Sequence, residues 1–120
     1  MQDLNFKNWT DNFAQAILSS TLDSGNHHAA LFLHLKLKES VKSLSDICTK
    51  IHSSSVPIEF YHSLCIFIQE AKNTMYWYER SLEYEQVNLN NSQLILSQGK
   101  SMIDVLESAL RVIKYQESIN

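Results

Sequence analysis

Glycine and proline are almost missing from this chain, at two and one in 120 residues. All-β domains and linker-like chains need many turns, and collagen-like chains need glycine at every third place, so these classes are excluded. Cysteine is just as sparse. Cys48 and Cys65 sit inside apolar-periodic segments, unlike the loop-borne cysteines of a small secreted scaffold. No stretch approaches 18 uninterrupted apolar residues, so no membrane span is expected. The opening MQDLNFKNW has no basic flank followed by an apolar run and does not read as a signal peptide. Together these features predict a reduced, cytoplasmic protein with no membrane association.

A dense basic face is missing too. Ten Lys and Arg stand against thirteen Asp and Glu, a net charge of -3. Up to residue 58 the signs balance, and the excess acid lies beyond, at Glu70, Glu79, Glu83, Glu85, Asp104 and Glu107 among others. A stand-alone duplex binder releases counterions through a concentrated cationic surface, and a monomer of this composition does not offer one. Lys36, Lys38, Lys42 and Lys50 are the nearest approach to a basic stripe, and they are the candidate nucleic-acid contacts.

What is present is helical periodicity. With 44% apolar residues the chain is too hydrophobic for disorder. A chain of its length buries roughly 65% of the surface its unfolded form exposes, so residues 1–120 are read as one domain. Phe6, Trp9, Phe13, Ala16 and Ile17 lie on one face of a helix over about 5–22. Asp23-Ser24-Gly25-Asn26 then stops it, with Gly25 suited to a left-handed terminus and Asn26 to the next cap. A second helix is predicted over 27–53, with Leu37, Val41, Leu44, Cys48 and Ile51 stepping in fours and threes. Pro57 fits the first turn of a third, over 57–86, whose stripe is Phe60, Leu64, Phe67, Ile68, Ala71, Met75, Tyr78 and Leu82. A fourth is predicted over 92–116, carrying Ile95, Met102, Leu106, Ala109, Leu110 and Ile113, with Gly99 inside it as the place for a close helix crossing. Four helices with short turns predict an all-α, up-down-up-down four-helix bundle.

Chemistry-bearing patterns are thin. Cys48, His52, His62 and Cys65 offer a tetrahedral zinc set in type. In a hairpin folded about residues 54–56, however, Cys48 faces His62 while Cys65 faces position 45, so the register opposes a shared metal. Glu59-Phe60-Tyr61-His62 supplies one Glu-x-x-His, but no histidine follows it to supply the second that a di-metal carboxylate bundle requires. Four-helix RNases of the HEPN type carry an arginine a few residues before a histidine, and both arginines here, Arg80 and Arg111, follow the last histidine. A Gly-x-Ser-x-Gly elbow and a phosphate loop are both lacking. No cofactor, no resident metal and no enzyme activity are expected.

Two segments carry more apolar surface than one small bundle needs inside. The run Leu31-Phe32-Leu33-His34-Leu35-Lys36-Leu37 is apolar round most of a helix. Met75-Tyr76-Trp77-Tyr78, with Tyr84 beyond it, points successive side chains in different directions. Exposed Trp and Tyr are common anchors of protein interfaces. Leu31, Leu33, Leu35, Tyr76, Trp77 and Tyr84 are therefore the candidate interface residues.

The pattern also resembles a known family. Ser40-Val41-Lys42-Ser43-Leu44-Ser45-Asp46-Ile47-Cys48, then Glu59-Phe60-Tyr61-His62-Ser63-Leu64-Cys65-Ile66, then Leu106-Glu107-Ser108-Ala109-Leu110-Arg111-Val112-Ile113-Lys114 carry the likeness. They are similar to stretches of the four-helix-bundle proteins encoded in intervening sequences of bacterial large-subunit rRNA, and of the accessory variability proteins of retroelements. Phe6-Lys7-Asn8-Trp9 stands where that family opens on an aromatic motif. The family's proline and glycine in the first stretch are replaced by Leu44 and Lys50. The resemblance implies a non-enzymatic, ring-forming bundle, commonly pentameric, serving as partner subunit of a nucleic-acid-handling machine. The net acidity puts direct nucleic-acid binding in doubt and leaves protein partners less affected. The expected function is a homo-oligomeric adaptor or accessory subunit. A partner-binding chaperone or immunity-type bundle is the alternative, and a small metal-binding helical protein a further one.

Overall fold

The computed structural model describes residues 3–20, 28–53, 57–83 and 92–119, with side chains placed for 7–19, 31–51, 53, 57–83 and 92–113. Every described residue is helical. The elements are α1 (Asp3–Ser20), α2 (His28–Ser53), α3 (Pro57–Glu83) and α4 (Ser92–Ile119). Helix α1 begins two residues before the expected start. Helix α4 runs three residues past the expected end, since nothing between Gln116 and Ile119 breaks a helix. The expected ends of the first and third helices, 21–22 and 84–86, lie outside the described residues.

Side-chain pairings fix the packing. Ser40 meets Glu70 and Thr74 while Phe32 meets Trp77, so α2 and α3 run antiparallel. Lys72 meets Glu107 while Gly99 faces Met75, so α3 and α4 do too. Helix α2 also packs on α1, and α1 closes on α4. The α2–α3 interface is the most extensive of the four and α1–α4 the least. The molecule is a rod of 55 × 23 × 22 Å, with a radius of gyration of 15.6 Å against the roughly 14 Å of a rounder domain this long.

One core cluster runs down the axis. Phe13 and Ile17 enter from α1; Leu37, Val41, Leu44, Cys48 and Ile51 from α2; Leu64, Phe67, Ile68, Ala71 and Tyr78 from α3; Ile95, Met102 and Leu106 from α4. The expected α2 stripe is buried at every position. Burying a side chain such as Leu44 or Phe67 contributes roughly 1.5–3 kcal/mol, and this shared interior holds the four amphipathic helices together.

The core also contains hydroxyls. Ser40 donates to Glu70 Oε2 at 2.8 Å and lies 2.6 Å from Thr74 Oγ1, and Thr74 reaches the Glu70 carbonyl at 2.9 Å. Ser40 spends its proton on the Glu70 carboxylate, and the single Thr74 proton is shared between the Glu70 carbonyl and the Ser40 oxygen. Ser81 donates back to the Trp77 carbonyl at 2.9 Å, which satisfies it inside its own helix. Cys48 is hydrogen-bonded to the Thr10 side chain, and burial pushes its thiol pKa up.

Candidate interaction surface

The surface builds outward from the buried α2–α3 seam. There Ser40 and Glu70 line an open cleft of about 520 Å³, bordered also by Lys36, Lys42, Asp46 and Trp77. Trp77 packs on the core with one part of its indole and remains half-buried. Phe32 stands edge-on to it at 6.1 Å between ring centroids, and Tyr76 edge-on from the other side at 4.9 Å. Phe32 is 53% exposed and Tyr76 50%. Edge-to-face pairs at this spacing contribute about 0.5–1.5 kcal/mol beyond area burial, which favours the three rings packing against one another.

Cations close both ends of the strip. Lys36 Nζ lies 5.6 Å from the Phe32 ring centroid, one helical turn along α2. The Arg80 guanidinium lies 5.0 Å from the Tyr76 centroid, one turn along α3. Each cation also has a carboxylate beside it: Lys36 with Glu39 at 3.7 Å, Arg80 with Glu83 at 3.2 Å. The order along the strip is Lys36, Phe32, Trp77, Tyr76, Arg80. Helical spacing sets Leu31 and Leu35 beside Phe32 on the outer face of α2, and both are exposed. Beyond them Leu35 and Leu18 flank a groove of about 730 Å³ between α1 and α2, floored by Ala14 and Val41 and rimmed by Asp11, Lys38, Glu39 and Lys42.

The expected interface residues are thus partly brought together. Leu31, Leu35 and Tyr76 are on the surface and Trp77 is at its base. Leu33 is a correction: only 6% exposed, it faces inward, one turn before Leu37, and belongs to the core. Tyr84 lies outside the described residues. The surface residues missed in the sequence are Phe32 and Arg80. A signal was there, since Phe32–Lys36 and Tyr76–Arg80 are each four residues apart, the spacing that stacks side chains on one helix face.

The four lysines do not form a single stripe. At 3.6 residues per turn the four spread over about 160° of the α2 surface, with Lys36 and Lys42 on the α2–α3 cleft and Lys38 and Lys42 on the α1–α2 groove. Acids are interleaved with them: Glu39 and Asp11 by the α1–α2 groove, Asp46 and Glu70 in the α2–α3 cleft, Glu59 beside Lys50.

The zinc-type residues diverge as well. Cys48 is buried toward Thr10 of α1, Cys65 is half-buried on α3, and both thiols are free. His62 is exposed in a shallow cleft with Lys50, Ser53, Glu59 and Ser63. The His52 side chain lies outside the described residues. Among the described residues no three His, Cys, Asp or Glu side chains gather as a metal site requires. No described helix is long and apolar enough to cross a membrane. No protein-family model, curated protein or solved structure matches the chain.

Proposed function

We propose that this chain is a non-enzymatic interaction bundle, a homo-oligomeric adaptor or accessory subunit whose self-contact is the aromatic strip of α2 and α3. The carrying observation is the Phe32–Trp77–Tyr76 cluster, packed edge to face yet half in water at both outer rings. Rigid aromatics present large contact area with little side-chain entropy to lose. A second copy of the chain is the occupant the charges favour. Both strip cations already have a neighbouring carboxylate, so an identical surface can cover the strip without stacking uncompensated charge. The likeness to the rRNA intervening-sequence and retroelement accessory proteins points the same way, toward a ring-forming subunit.

Light scattering at micromolar concentration tests this. The expected mass is a multiple of 13.9 kDa, falling to the monomer for the Phe32→Ser/Tyr76→Ser pair, which touches only exposed rings. A wild-type monomer, or an oligomer indifferent to both substitutions, overturns the reading. Service to a nucleic-acid-handling complex is the further part of the proposal, and it draws on the cation-flanked aromatics Lys36 to Arg80. Mobility retardation of single-stranded RNA is expected at ~50 mM salt, weakening steeply as salt rises. Its absence removes that part and leaves the oligomer standing.

A further inference from the structure

We infer that Met75 is an oxidation-sensitive latch on the α1–α4 seam, a modification site independent of the aromatic strip. Three helices meet at Gly99. A Cβ placed there would collide with the Met75 sulfur, and would lie 3.0 Å from Met75 Cε and 3.1 Å from Phe13 Cε1. The thioether of α3 and the ring edge of α1 therefore fill the notch that the missing α4 side chain leaves. The notch joins the α3–α4 packing to the α1–α4 seam, the slightest of the four helix interfaces.

Met75 is also reachable. It is half-buried and lines an open cleft of about 440 Å³ between α3 and α4, with Leu96 and Ile103 alongside and Lys72, Glu79 and Lys100 at the rim. A hydroperoxide entering there delivers one oxygen atom. The sulfur–oxygen bond forms as the O–O bond breaks, the thioether loses two electrons to become the sulfoxide, and hydrogen peroxide leaves as water. The product needs space that the notch lacks. Its oxygen is a strong acceptor, and the Phe13 ring edge offers no donor. The Lys72 and Lys100 ammonium groups stand at the cleft rim, so the oxidised side chain swings outward and leaves the notch empty. An emptied notch withdraws packing from α1, and methionine sulfoxide reductase with a thiol reverses the change.

The test is hydrogen peroxide added to the full-length protein, with peptide mass mapping and thermal melts. Met102, fully buried, is the internal control. Met75 is expected to gain oxygen about tenfold faster than Met102, with a Tm lowered by about 5 °C and restored by the reductase. Peroxide-treated Met75→Leu is expected to keep the Tm of its untreated form. Equal oxidation of the two methionines overturns the inference. So does a Met75 sulfoxide protein that melts with the reduced one, or a Tm loss of the same size in Met75→Leu. If Met75→Leu does not fold, recovery on reductase treatment decides: a Tm that returns supports the latch, and one that stays low overturns it.

Discussion

The α2–α3 hairpin and the α1–α4 seam enclose the same core by different means. The hairpin has the longest contact, an internal hydroxyl chain between Ser40, Thr74 and Glu70, and an aromatic strip outside. The seam has the least contact and closes on one glycine, one thioether and one ring edge. Stability in a helical bundle is therefore distributed unevenly, and a weakly tied element opens at lower free energy than the whole. The hairpin is the scaffold, and α1 is its least firmly held cover.

The largest expected effect compares two phenylalanines. Phe67→Ala in the hairpin costs about 3–5 kcal/mol. Phe13→Ala on the seam costs less, because α1 relaxes into the space. Urea melts that give equal costs break the comparison. Next is Thr74→Val, which removes the buried hydroxyl contact to Ser40 and the bond to the Glu70 carbonyl and costs about 1–3 kcal/mol. The double change Ser40→Ala/Thr74→Val is expected to be milder than the sum of the singles, and additive costs would deny that the pair acts as a unit.

Smaller effects sharpen the seam. Gly99→Ala gains up to about 1 kcal/mol of helix propensity and must displace the flexible Met75 tip and crowd Phe13. The net is expected within about 1 kcal/mol of zero, whereas a loss well beyond that by thermal melt would show a notch too stiff to yield. For Cys48 the sign follows from burial. Its folded pKa stands above the ordinary 9.0, so the folded protein holds the proton that the unfolded chain releases. That contribution is complete below pH 9.0 and is lost as pH rises toward the folded value. Melts between pH 8 and 10.5 should lose stability, and Cys48→Val should flatten the slope; an identical slope in the variant refutes the assignment. Smallest is Lys72→Ala. Its 2.9 Å bond to Glu107 is solvent-exposed and contributes about 0–1 kcal/mol, less at high salt.

Much of this architecture was legible in the sequence. Scarce glycine and proline, with breaks at 23–26, 53–57 and 88–92, delimit four helices. Leu37, Val41, Leu44, Cys48 and Ile51 could be placed inside because each three- or four-residue step keeps a side chain on one face. In the run 31–37 the same step of four back from Leu37 picks out Leu33 for the interior, but the apolar neighbours on either side obscure it. Apolar residues at nearly every other position satisfy no single helical face, and the place of Phe32 against Trp77 emerges only with α3 alongside. The hydroxyl chain was visible in part. Ser40 keeps the step of three from Leu37 and four to Leu44, and Thr74 the same between Ala71 and Tyr78. A polar residue in step with an apolar stripe is a buried partner awaiting its mate. Which two would meet depends on hairpin register, which spacing within one helix does not encode.

That register has a mechanical consequence. Two hydroxyls set among hydrocarbon act like a key in a ward. Sliding α2 by one turn along α3 would part Ser40 from both its partners, at about 1–3 kcal/mol, while Thr74 would keep only its bond to the Glu70 carbonyl of its own helix. Leucines alone tolerate such a slip, since one aliphatic contact replaces another. The hairpin can therefore lock in one alignment only, and the spacing of every ring and cation on its outer side is set from within.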